Sequence, residues 1–209
     1  MEHEAKNMKH VILQRSFYRR NTIEVARELL GCFLVRKIGR KVIRARILET
    51  EAYAGEDDLA SHASKGRTKR TEIMYGEPGR AYVYMIYGMY HCLNIVTERK
   101  DFPAAVLIRG VEIAPVPQSR RRDTCLPVGR ASYQAGEQVP PLNGPGKLCR
   151  FLDIDRSLND WDVTKGEKLW IERGEKADPK YIRADKRIGI DYAKHSKENL
   201  WRFTIKIEE

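Results

Sequence analysis

Val42-Ile43-Arg44-Ala45-Arg46-Ile47-Leu48-Glu49-Thr50-Glu51-Ala52-Tyr53 is the stretch on which the reading of this chain turns. Taken by twos, Ile43, Ala45, Ile47, Glu49, Glu51 and Tyr53 fall on one side of a strand, against Val42, Arg44, Arg46, Leu48 and Thr50 on the other. The apolar side turns acidic towards its end. Buried carboxylates are costly without partners or work to do, so such a face predicts a pocket floor. Downstream, Ala81-Tyr82-Val83-Tyr84-Met85-Ile86-Tyr87-Gly88-Met89-Tyr90 holds four of the chain's ten tyrosines. Carboxylates and clustered aromatic faces in a basic protein point to chemistry on a nucleobase.

Working outward, Asn21 or Thr22 caps a helix running to about Leu30, with Gly31 at its left-handed stop. Cys32-Phe33-Leu34-Val35 reads as a strand, Gly39-Arg40 as a turn, and Val42 to Tyr53 as the partner strand of a hairpin. Residues 54–80 turn polar and basic and form a long active-site loop with a short helix near Thr71 to Tyr75. Arg80 to Tyr87, Tyr90 to Thr97 and Ala104 to Ile113 make a β-meander, reversed at Gly88. The proline-, glycine- and arginine-rich run from Pro115 to Pro145, with Arg120-Arg121-Arg122 in its midst, is a surface excursion. A helix over Lys147 to Leu152, a short strand over Lys168 to Glu172, a glycine-containing segment over Asp185 to Ile190 and a closing strand over Trp201 to Ile207 follow.

Composition narrows the partners. Lys plus Arg exceed Asp plus Glu by 39 to 29, a net charge of +10 over 209 residues, which suits a polyanion such as nucleic acid, or an anionic membrane. A merely soluble basic protein is the plain alternative. Apolar runs are short and the first residues carry no signal core, so an intracellular, soluble protein is expected, in the cytoplasm or nucleoid if the source is prokaryotic. Cys32, Cys92, Cys125 and Cys149 are scattered without C-x-x-C spacing and are read as reduced thiols, mostly buried. The histidines lack metal-ligand spacing, and neither a metal nor a cofactor is expected.

Cleaving an N-glycosidic bond passes through an oxocarbenium-like centre, which a fixed carboxylate stabilises while taking a proton from the attacking water. In duplex DNA the nucleotide must first leave the stack, which calls for an aromatic pocket and a wedge for the hole left behind. Tyr53, Tyr84 and His62 suit the pocket. Tyr87, of opposite parity beside Gly88, suits a projecting hairpin tip.

These residues add up to a family pattern. Leu48 to Tyr53, His62, Tyr82 through Asn94, Val106-Leu107-Ile108-Arg109 and Gly144-Pro145-Gly146-Lys147-Leu148-Cys149 follow one order and spacing over residues 16 to 207. The chain resembles the alkyladenine (3-methyladenine) DNA glycosylases of the mammalian type. The resemblance implies Glu51 as general base and Arg109 as a holder of the hydrolytic water. It puts Tyr53 and His62 on one face of the flipped base and Tyr84 on the other, Asn94 below the base against guanine, and Tyr87 in the vacated stack. A cationic alkylpurine between tyrosines gains about 0.5 to 2 kcal/mol of cation–π attraction. Lys186-Arg187-Ile188-Gly189-Ile190 resembles the family's phosphate-contacting turn. No lysine stands where a Schiff base needs one, which implies a monofunctional hydrolase leaving an abasic site.

The expectation is therefore an α+β fold: an N-terminal tail over 1–15, and over 16–209 a single mixed domain around a curved, largely antiparallel sheet with flanking helices. Its expected substrate is double-stranded DNA with alkylated purines, deaminated ones being a further candidate, and it is expected to act as a monomer. The plain reading of Glu51 is an ion pair with Arg44 or Arg109; Glu49 is read as an ion-paired carboxylate rather than the base, and Tyr82 and Tyr90 as packing residues. Two rival functions stand beside the glycosylase: a metal-dependent nuclease using Glu49, Glu51, Asp57 and Asp58, and a non-catalytic binder with a tyrosine stacking platform.

Overall fold

β2, Lys41–Ala54, is fourteen residues long, and the sheet is arranged around it. The computed structural model describes residues 10–114, 126–128, 131–133 and 140–206, with backbone alone for 126–128 and 131–133. Along one edge of β2, its first half pairs with β1 (Phe33–Ile38) and its second half with β11 (Arg202–Ile205). The other edge pairs with β5 (Ala104–Ile113). The sheet continues through β4 (Tyr90–Val96) to β3 (Ala81–Ile86), which is the expected meander. β10 (Ile182–Asp185) extends it past β11, while β9 (Leu169–Glu172) joins β1 and β8 (Leu142–Asn143) joins β5. β6 (Leu126–Val128) and β7 (Ala131–Tyr133) form a separate ribbon. All of these pairings are antiparallel, and with few helices beside one open, curled sheet the class is α+β.

The helices are α1 (Arg15–Tyr18), α2 (Thr22–Glu28) and α3 (Pro145–Phe151). Asn21, not Thr22, caps α2, its side chain accepting the Ile23 and Glu24 N–H groups. Gly31 follows at φ +84, where a Cβ would lie 2.2 Å from the Glu175 carbonyl oxygen. No other residue fits there. α3 begins two residues before the expected start because Pro145 needs no N–H partner in a first helical turn. Packing begins upstream of residue 16: Ile12 bridges to Glu172, and Leu13 is buried and donates its N–H to Ile171.

One expectation about β2 is overturned. Ile47 pairs with Val111, Glu49 with Gly110 and Thr50 with Ile108, leaving Leu48 and Arg109 without a partner across the strands. Such a bulge reverses which side chains face which way. Before it, Ile43, Ala45 and Ile47 enter the main core; after it, Ala52 does, and Thr50 sends its hydroxyl to the Ala26 carbonyl of α2 at 2.8 Å. Glu51 and Tyr53 therefore lie on the face opposite to Ile43, Ala45 and Ile47. Gly110 permits the irregularity, since a Cβ there would stand 3.0 Å from that of Glu49.

The sheet thus has two unlike faces. One packs on α2 and α3 through Val25, Leu29, Leu93, Ile108, Leu148 and Phe203; each large side chain buried is worth about 1.5–3 kcal/mol. The other is roofed by two short 3-10 turns, His62–Lys65 and Glu72–Tyr75, over Ala63, Met74, Tyr82 and Ala105. No helix among the described residues is long and apolar enough to cross a membrane. Arg120 to Arg122 lie outside the described residues.

Candidate active site

The bulge aims the end of β2 into a cavity of about 340 Å³, and the residues to which the resemblance gives a role at the base, the water or the vacated stack line it: Glu51, Tyr53, His62, Tyr84, Tyr87, Asn94 and Arg109. Strand parity explains most of this convergence. Tyr82 and Tyr84 of β3 and Cys92 and Asn94 of β4 share the cavity face, while Ala81, Val83, Leu93 and Ile95 fill the core behind.

Glu51 is 1% exposed. Its Oε2 accepts the Tyr53 O–H at 2.8 Å, its Oε1 accepts the Ile188 N–H at 3.0 Å, and Arg109 Nε lies 3.5 Å from Oε1. Burial pushes its pKa up, against the Ile188 N–H, the Arg109 charge and the Tyr53 hydroxyl, which favour the anion. Burial first, and then the neighbouring Glu51, hold the Tyr53 phenol well above its ordinary range, so it stays a donor. Arg44 is not the partner of Glu51; it pairs with Glu172. Glu49 is the tightly paired carboxylate, its Oε1 accepting from Arg109 Nε at 3.0 Å and Arg202 Nη1 at 3.1 Å.

His62 sits elsewhere than expected. Its ring centroid is 4.6 Å from that of Tyr84, whereas a base between two rings needs about 7 Å, twice a van der Waals contact. It therefore shares the Tyr84 wall, while Tyr53 is packed apart from it, against Ala60, Ile190 and Ala193. Burial, then the charges of Arg70 and Lys65, lower the His62 pKa to about 4. Nδ1 meets the Tyr82 hydroxyl at 2.9 Å and Nε2 meets Arg70 Nη2 at 3.4 Å. Because a guanidinium only donates, Nε2 carries the lone pair and Nδ1 the proton.

Asn94 is buried and donates from Nδ2 to the Tyr82 carbonyl at 3.2 Å. Tyr87 is 86% exposed at the tip between β3 and β4. It lies at φ +51 followed by Gly88 at φ +69, with Met89 N–H bonded to the Ile86 carbonyl. That is a primed turn, natural for a twisted hairpin but strained by about 1–2 kcal/mol for a bulky residue.

Several lining residues went unread. Tyr82 is packed as expected, yet its hydroxyl also holds His62; its shared parity with Tyr84 was the available signal. Ile188, Ile190 and Tyr192 close the cavity from the segment after β10. The resemblance made that segment a phosphate-contacting turn, but the Arg187 side chain is fully buried in an ion pair with Asp58 and meets no surface. The same pair undoes the four-carboxylate nuclease arrangement, since Asp58 is committed to Arg187 and Glu49 to two arginines. Cys32, Cys92 and Cys149 are free and buried, Cys92 within the cavity wall; Cys125 lies outside the described residues.

The family model described as methylpurine-DNA glycosylase (MPG) matches residues 16–209. A protein of the archaeon Methanocella arvoryzae named "Putative 3-methyladenine DNA glycosylase" is 47% identical over 192 residues, covering 92% of this chain and 91% of the relative. Proteins of the same name from the bacteria Clostridium perfringens (strain SM101) and Ehrlichia chaffeensis are 46% and 41% identical, covering 93% and 95% of this chain and 95% of each relative. These relatives are archaeal and bacterial, so they lend no support to the mammalian-type qualifier drawn from the motifs. With a family model spanning the sheet and every cavity-lining residue discussed above, this chain belongs to the methylpurine-DNA glycosylase family and is a DNA repair glycosylase.

Proposed function

We propose that the protein everts a damaged purine from duplex DNA into the Glu51 cavity and hydrolyses its N-glycosidic bond, with 3-methyladenine among the bases released. Glu51 takes a proton from a water as its oxygen bonds to C1′. The C1′–N bond breaks, its electron pair leaves with the purine, and an abasic site remains. Arg109 steadies the water together with the Glu51 carboxylate. The base lies between Tyr53 on one wall and Tyr84 with His62 on the other, a regrouping of the sequence-based expectation. Asn94 faces the base edge and disfavours guanine, and Tyr87 fills the gap left in the duplex. The enzyme works without metal or cofactor, as a monomer inside the cell, where its DNA is.

The observation that carries this reading is the carboxylate itself: a nearly dry Glu51, 2.8 Å from the Tyr53 phenol, on the wall of a cavity of about 340 Å³. A carboxylate with no proton to take would be neutralised by a close bidentate arginine, as Asp58 is. Cation–π selection is weaker than the sequence implied. Arg187 already sits 4.8 Å from the Tyr53 ring centroid and Arg70 sits 5.2 Å from that of Tyr84. Two resident cations reduce what a charged base can gain, so neutral, deaminated purines fall within the proposed range. The test is base release from methylated duplex DNA in the presence of EDTA. Release by the parent and none by Glu51→Gln, which still binds duplex, is expected; full activity in that variant, or release that needs added metal, defeats the reading.

A further inference from the structure

We propose that the buried Asp58–Arg187 ion pair is a positioning element for the reaction, holding the Glu51 carboxylate and the Tyr53 ring in working orientation without touching substrate. The proposal rests on Glu51 being the base. Arg187 donates from Nη1 to Asp58 Oδ2 at 2.6 Å and from Nη2 to Oδ1 at 2.8 Å, and neither side chain is exposed. The same two nitrogens reach the Ala52 carbonyl at 2.8 Å and the Ser196 carbonyl at 3.0 Å. Asp58 in turn accepts the Ala60 N–H at 3.1 Å and the Ala54 N–H at 3.4 Å. The guanidinium lies 4.8 Å from the Tyr53 ring centroid and 5.0 Å from that of Trp201.

These contacts close around Glu51. Ala52 is its chain neighbour, and Ile188, whose N–H donates to Glu51 Oε1, is the chain neighbour of Arg187. One planar cation therefore fixes the strand on one side of the carboxylate and the donor on the other. It also occupies one side of Tyr53, the ring whose hydroxyl holds Oε2.

Stability alone is a poor account of such a pair. Desolvating both ions costs several kcal/mol, and apolar replacements of similar volume are often no less stable. Arg187 Nε is also buried without a hydrogen-bond partner among the described residues, which a pair kept only for stability has no reason to tolerate. What the fork supplies is directional: two parallel bonds that define a plane, which a lysine cannot reproduce.

The test uses the whole chain and duplex DNA methylated with dimethyl sulfate. R187K keeps the cation and loses the fork. D58N/R187Q replaces the ion pair with neutral hydrogen-bonding groups, which gives a second variant without buried charge if the lysine is rejected. Single-turnover base release is expected to fall roughly ten- to a hundredfold in each, the scale of a misplaced reacting group. The acid limb of the pH–rate profile is expected to move to higher pH, because Glu51 loses a donor that favours its charged form. Affinity for a duplex containing an abasic site is expected to stay near that of the parent. A folded variant that releases bases at the parent rate with the acid limb unmoved overturns the proposal. So does a loss that only matches the loss of folded protein in a thermal melt. E51Q run alongside separates the readings: if it is fully active, the assignment of the base fails and this proposal with it, whereas an inert E51Q beside a fully active R187K removes the positioning role alone.

Discussion

On the side of the sheet that carries α2 and α3, Ile47, Leu93, Ile108 and Phe203 have no exposed surface and no polar side-chain atom to satisfy. On the other side of the same strands, Glu51, Asn94, Tyr84 and Arg109 surround a cavity, with Glu51, Asn94 and Arg109 each held by a specific hydrogen bond. The first face is indifferent to direction, because apolar burial scales with area. The second depends on it, because a carboxylate oxygen works only where its donors and its target converge. Removing side chains from the two faces should therefore cost stability on one and rate on the other.

The largest contrast is expected at Glu51. E51Q should lower single-turnover release by about 10²–10⁴-fold, the range for a positioned general base, while its Tm at neutral pH equals or exceeds that of the parent. The sign follows from burial. A carboxylate whose folded pKa is raised contributes its stability below the unfolded value and loses it as pH rises through the folded one. Ionised Glu51 is thus a burden on the fold at neutral pH, and an E51Q melt well below the parent would break the comparison. Ile108→Ala should do the opposite, destabilising by about 2–5 kcal/mol in denaturant titration while release per folded molecule stays at the parent level. A large rate defect in that variant would mean that the two faces are mechanically coupled.

Glu49 sharpens the comparison because it lies at the bulge between the two regimes. E49Q should reduce stability by about 1 kcal/mol through weakened bonds to Arg109 and Arg202, and should slow release modestly, since Arg109 is shared with Glu51. A loss as deep as that of E51Q would shift the base assignment to Glu49. The smallest effect concerns pH. The acid limb of release should have its midpoint above the ordinary carboxylate value of 4.5. It should contain no step near 6.5 from His62, whose imidazole stays neutral down to about 4. His62→Gln should leave the shape of that limb unchanged, and a limb that sharpens or moves would show that the imidazole titrates during the reaction.

Much of this was readable in advance. The hairpin before β2, the meander of β3 to β5, the Asn21 cap and the Gly31 stop all follow from local alternation and turn chemistry, which act over a few residues. The Tyr82, Tyr84 and Asn94 face also follows, because pleating places every second side chain on one side wherever a strand is regular. The resemblance, carried by contiguous motifs, named residues that the structure brings to one cavity. The bulge at Leu48 was not legible. It exists only in the pairing of β2 with β5, where Arg109 is left over on the other strand, and periodicity along one strand cannot reveal a slip between two. It is this slip that turns Glu51 away from the core. Nor could spacing place His62 on the Tyr84 wall, or join Asp58 to Arg187 across 129 positions of chain. Local sequence decides which backbone conformations and faces are available; which faces meet, and which ions must find each other once water is excluded, is decided only when distant segments pack.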